Sequence, residues 1–123
     1  HTMAVPSFKL DGIRRHKMLT AAIAKRLPAL GETDGQGFDA ICRVKFFGGG
    51  RMSFFVTEFD GDDTLYGYMI SPLGPDCDEW GYSSLSELAE ANRNGLPLVE
   101  RDCYFAERPV RDCIKGAGLE VPA

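Results

Sequence analysis

The stretch FFVTEFDGDDTLYGYMI, residues 54–70, constrains the chain more than any other. Two runs rich in aromatic and β-branched residues flank Asp60-Gly61-Asp62-Asp63. Asp and Gly supply the dihedrals and local hydrogen bonds of a tight turn, so such runs fold back on each other as antiparallel neighbours. Strands are expected over residues 52–59 and 65–70. A sheet started there has to bury a face, and the rest of the chain must supply the cover.

In residues 17–27, KMLTAAIAKRL, the residues Met18, Leu19, Ala22, Ile23 and Leu27 fall at helical spacing, and Pro28 ends the pattern. GETDGQG, residues 31–37, reads as a loop. FDAICRVKFF, residues 38–47, alternates as a strand until Gly48-Gly49-Gly50 breaks it. Those glycines do not form a phosphate cradle, which needs Lys-Ser/Thr opening a helix; here Arg51-Met52-Ser53 leads into a strand. Residues 71–75 stop the next strand with two prolines, and residues 76–82 read as an acidic loop carrying Trp80. Ser84 and Glu87 have capping-box spacing, which starts a helix near Leu85 that runs to about Asn94-Gly95. Residues 96–105 read as extended, with room for a short edge strand, and residues 110–118 as one or two helical turns.

These elements predict an α+β fold: an antiparallel sheet of three to four strands, an N-terminal helix, and a second helix packed on one face. A length of 123 residues suits one core. The expected division is a single domain over residues 17–123 behind residues 1–16. His1-Thr2-Met3 is read as a tag remnant with the native start, and residues 3–16 as a basic arm whose knot of Arg14, Arg15 and His16 runs on into Lys17.

Charge is distributed unevenly. Residues 52–92 contain Glu58, Asp60, Asp62, Asp63, Asp76, Asp78, Glu79, Glu87 and Glu90 and no Lys or Arg, whereas residues 1–51 carry nine basic and four acidic residues. The acidic segment repels phosphates, which leaves direct nucleic-acid contact to the basic arm, and it suits a protein partner with a basic surface. No apolar run reaches membrane-spanning length and the start shows no secretory pattern, which points to the cytoplasm and away from a membrane. Cys42, Cys77, Cys103 and Cys113 stand singly, without C-x-x-C or paired histidines, as reduced thiols do; no metal or cofactor is expected.

Candidate chemistry is sparse. A calcium loop opened at Asp60 fails at its fifth position, Thr64, and at its twelfth, Ser71. A weaker magnesium site at Asp60 and Asp62 stays open beside the turn reading. Regular alternation would set Glu58 on the Phe54 and Val56 face, where the carboxylate needs a partner, and Arg101 in Glu100-Arg101-Asp102 is the attractive one. His16 is the only native histidine and no G-x-S-x-G elbow exists, so a nucleophilic triad is disfavoured. Trp80 and Tyr82 offer an aromatic surface, or half-buried strand residues. The candidate binding residues are Glu58, Asp62, Asp63, Asp78, Glu79, Trp80, Tyr82 and Arg101. The leading function is a non-enzymatic interaction module whose acidic segment meets a basic protein. The alternative is a small hydrolase or nucleotide- or metal-binding enzyme using Glu58, Arg101 and Asp102.

Together, MLTAAIAKRLPAL, VKFF, VTEFD followed by LYGY, WGYSSLSEL and GLPLVERDCYF resemble a bacterial domain-of-unknown-function family, number 2958. The likeness runs from about Met18 to Pro109. Glu58, Gly81, Tyr82, Leu85, Glu87, Leu88, Glu100, Arg101 and Asp102 match its recurring positions. The resemblance implies a setting, the accessory functions of plasmids and other mobile genetic elements, and carries no reaction with it.

Overall fold

The computed structural model describes residues 5–123, so the tag-remnant reading of His1-Thr2-Met3 lies outside the described residues. The strands are β1 (Ile41–Cys42), β2 (Val44–Gly48), β3 (Ser53–Phe59), β4 (Thr64–Ile70), β5 (Glu79–Ser84), β6 (Asn92–Arg93), β7 (Leu96–Pro97), β8 (Val99–Arg101) and β9 (Arg108–Pro109). The helices are α1 (Asp11–Arg14), α2 (Ala21–Arg26), α3 (Leu85–Glu90) and α4 (Val110–Gly116).

Asp60 builds the turn between β3 and β4: its Oδ1 accepts the amides of Asp62, Asp63 and Thr64 at 2.8, 3.0 and 3.0 Å. The hairpin is the centre of a fully antiparallel five-stranded sheet in the order β5-β4-β3-β2-β8. The sheet is larger than the three to four strands expected. Most of the supposed acidic loop at residues 76–82 is strand β5. There Trp80 and Tyr82 alternate around Gly81, and they lie opposite Tyr68 and Tyr66.

Both faces are covered. On one, Phe46, Phe54, Val56, Phe59 and Leu65 meet Met18, Leu19, Ala24, Leu27, Leu85 and Ala89 from the N-terminal segment, α2 and α3. On the other, Phe55, Tyr68 and Ile70 meet Val110, Cys113 and Ile114 of α4, with Phe38 and Trp80 at the margin. The predicted single cover thus gains a second, from the C-terminal turns.

Helix ends obey local chemistry. Thr20 caps α2 by accepting the Ile23 amide at 3.2 Å, so Met18 and Leu19 enter the core from before the helix. Ser84 accepts the Glu87 amide at 3.1 Å, as its spacing predicts. The helix stops at Glu90, short of the expected 94–95. Asn94 and Gly95, at φ 53° and 83°, instead form the left-handed pair of a hairpin turn joining β6 and β7.

Residues 8–14, part of the basic arm read from the sequence, lie against the fold. Arg14 is buried and gives its guanidinium to the carbonyls of Val99 and Ala89 and to Asp11 Oδ1 at 3.1 Å. Of the basic knot, Arg15 and Lys17 remain exposed, while His16 approaches Glu100 at 3.6 Å. Among the described residues no helix is long and apolar enough to cross a membrane.

Candidate functional site

A register shift in β3 sets the geometry of the site. Val56 lies opposite Gly67, yet Glu58 lies opposite Tyr66, so Thr57 is an extra residue, a β-bulge. Alternation is reset there, and Glu58 joins the face of Phe55, Tyr66 and Tyr68 rather than that of Phe54 and Val56. The residue is 2% exposed. It accepts the amides of Gly31 at 2.8 Å and Thr33 at 2.9 Å and the Thr33 hydroxyl. Glu58 therefore anchors the loop of residues 31–37 to the sheet.

That loop stands beside an aromatic wall. Tyr66 and Trp80 stack with centroids 5.7 Å apart and ring planes at 14°. Tyr68 meets Trp80 edge-on at 5.5 Å, Phe38 packs on both, and Tyr82 lies 4.9 Å from Tyr66 with 67% of its surface exposed. Thr33, Asp34, Gly35, Gly37, Ala40, Tyr66 and Trp80 line a cavity of about 200 Å³ between loop and wall. Burial raises the Tyr66 phenol above its ordinary value, and neighbouring Tyr82, Glu58 and Asp34 push it further.

The remaining sequence candidates divide into structural and free groups. Asp63 receives the hydroxyls of Ser84 and Ser86 at 2.5 and 2.8 Å and the Ser86 amide at 2.8 Å, tying the β3–β4 turn to the start of α3. Asp78 is held by a two-pronged ion pair with Arg51, at 2.7 and 2.9 Å, and accepts the Ser71 amide at 2.7 Å. Asp62 and Glu79 are exposed and take part in no ion pair among the described residues.

Arg101 and Asp102 do not meet Glu58. Arg101 Nε donates to the Lys17 carbonyl at 2.9 Å, and Asp102 faces Lys45 at 3.9 Å and takes the Tyr104 amide. The Glu58–Arg101 ion pair expected from the sequence is replaced by the amides of residues 31–33, because the bulge turns Glu58 toward that loop. The magnesium reading finds Asp60 Oδ1 occupied by its own turn. Among the described residues no three His, Cys, Asp or Glu side chains gather as a metal group. All four cysteines are free. Cys42 of β1 and Cys113 of α4 are both buried, and burial pushes the Cys42 thiol up. What sequence reasoning missed is Thr33 and Asp34, whose signal was only a Gly- and Asp-rich loop.

The family model described as "Protein of unknown function (DUF2958)" matches residues 17–117. The chain belongs to the DUF2958 family. The match covers the aromatic wall, loop 31–37 and all of α4, reaching beyond the Pro109 limit of the sequence resemblance. No curated protein and no solved structure matches this DUF2958 chain.

The internal carboxylates of this DUF2958 member predict a pH response. The Arg51 guanidinium beside Asp78 holds its carboxyl below the ordinary value. Burial alone would raise Asp63, but the Ser84 and Ser86 hydroxyls and the Ser86 amide outweigh it and hold that carboxyl low as well. Groups with depressed folded values contribute stability that is fully present above the unfolded value of about 4, and it is lost as pH falls through the lower folded values. The thermal midpoint is expected to drop between roughly pH 5 and pH 2, and Asp78→Asn should flatten that drop. An unchanged acid slope in Asp78→Asn would refute the assignment.

Proposed function

We propose that this protein is a non-enzymatic interaction module whose acidic surface around β5 engages a basic protein surface. The observation that carries this reading is the acidic segment 52–92, in which Asp62, Asp76, Glu79, Glu87 and Glu90 are exposed and unpaired by any internal cation among the described residues. Four of these acids flank an open edge. Among the described residues β5 pairs only with β4, with Asp76 and Glu79 at one end and Asp62 and Glu87 near the other, while α3 carries Glu90 away toward β8. Unpaired edge strands attract further chains, and like charge around this one opposes pairing of two copies while favouring a basic partner. The enzymatic alternative loses support because Glu58, Arg101 and Asp102 have separate partners. The setting we infer from the family resemblance is the accessory functions of mobile DNA, in the cytoplasm.

The test uses acids that hold no internal bond. Asp62→Lys/Glu79→Lys/Glu87→Lys is expected to keep the fold, seen by circular dichroism, and to lose a partner that the wild type captures from host lysate in a salt-sensitive manner. Such contacts weaken as salt shortens the screening length to about 8 Å at physiological strength. Capture that survives the triple reversal would sink the reading. Asp63 and Asp78 are left intact because their reversal would break the fold itself.

A further inference from the structure

We infer that the cavity between loop 31–37 and the Tyr66–Trp80 wall receives the cationic head of an arginine or lysine side chain. The inference rests on the proposed basic partner only for the source of that side chain.

Aromatic faces carry negative quadrupole charge, attract cations, and are worth most where water is partly excluded. Here Tyr66 and Trp80 share the lining of a cavity of about 200 Å³ with the exposed Asp34 of loop 31–37. No Lys or Arg lines it. Behind Thr33 lies Glu58, 2% exposed, with three hydrogen-bond donors and no ion pair among the described residues. A buried carboxylate ordinarily faces a cation, because hydrogen bonds alone leave its net charge uncancelled. Three arginines are engaged elsewhere: Arg14 with the Val99 and Ala89 carbonyls, Arg51 with Asp78, and Arg101 with the Lys17 carbonyl.

Burial raises the Tyr66 phenol, and Tyr82, Glu58 and Asp34 push it further in the same direction. The Asp34 carboxylate in the lining disfavours anionic ligands. A guanidinium suits the site best, since it stacks on aromatic faces and forks to a carboxylate, whereas an ammonium uses charge alone.

Trp80 is the only tryptophan, so its emission reads the cavity directly. The full chain is titrated with acetyl-Gly-Arg-Gly-amide, with its lysine counterpart, and with its neutral citrulline counterpart. The cationic peptides are expected to give a saturable change with half-saturation about tenfold or more below that of the citrulline peptide. Asp34→Asn retains the Asp34 N–H to Gly31 carbonyl bond of 3.1 Å and should stay folded, yet weaken the response several-fold. A flat titration, an equal response to the citrulline peptide, or an undiminished response in Asp34→Asn would overturn the assignment. If the arginine peptide binds while the triple reversal leaves partner capture intact, the cavity stands and the acidic-surface reading fails. A silent cavity with charge-dependent capture gives the reverse.

Discussion

The Gly67→Ala chain is expected to lose its native fold. Gly67 sits in the middle of β4, between β3 and β5, opposite Val56 on one side and Gly81 on the other. A Cβ built there would lie 2.1 Å from the Phe55 carbonyl oxygen and 2.8 Å from both the Phe55 carbonyl carbon and Val56 Cα. Non-bonded atoms rest at about 3.5–4.0 Å, and every atom met is backbone, so no rotamer change can relieve the clash. Relief requires β3 and β4 to part beside the bulge, which breaks their ladder and opens both clusters.

A loss above about 4 kcal/mol is expected, a large share of the roughly 5–15 kcal/mol that keeps a domain folded. Gly81→Ala is the matched control. Its Cβ would meet nothing within 4 Å, and a change within roughly 1 kcal/mol is expected for a strand glycine replaced without a clash. Circular dichroism and urea denaturation check both. A Gly67→Ala protein melting within a few degrees of wild type would refute the close approach.

The hairpin of residues 54–70 was legible because its turn chemistry and its strands are adjacent in sequence: Asp60 satisfies three amides within four residues. The Ser84 cap was legible for the same reason. Strand β5 was not, because Gly81 and the acids around it mask the alternation of Trp80 and Tyr82. Those residues become strand only through pairing with Tyr66 and Tyr68.

The side on which Glu58 falls could not be read at all. Period-two alternation assigns it to Phe54 and Val56, and one extra residue at Thr57 reverses the assignment. The acid counts in residues 52–92 came straight from the sequence. Which acids are free did not, since Asp63 and Asp78 are consumed by partners 21 and 27 residues away. Arg14 makes the same point for the basic segment: its carbonyl partners at Ala89 and Val99 lie 75 and 85 residues distant.

Glu58→Gln should separate loop anchoring from sheet integrity. The glutamine matches the carboxylate in shape, and its single amide oxygen can serve one of the Gly31 and Thr33 amides. Its NH₂ group would then face the remaining donors of residues 31–33, so at least one part-buried donor loses its acceptor and meets another donor. Hydrogen bonds to charged groups contribute about 1.5–3 kcal/mol each, and orphaned donors cost about 1–3 kcal/mol, so a loss of roughly 2–3 kcal/mol is expected in urea denaturation. Thr33→Ala removes the hydroxyl donor and leaves both amides on the carboxylate, so it should cost only about 1 kcal/mol.

The location of the damage is the sharper reading. The bulge and β3 pairing do not depend on the carboxylate, whereas the Gly31 and Thr33 amides have it as their acceptor. Hydrogen exchange in Glu58→Gln should therefore accelerate at those two amides while Phe55 and Val56 in β3 keep their protection. Because loop 31–37 forms one side of the cavity, the arginine response of Trp80 should weaken in the same variant. Unchanged exchange at Gly31 and Thr33 would show that the loop is held by something other than Glu58.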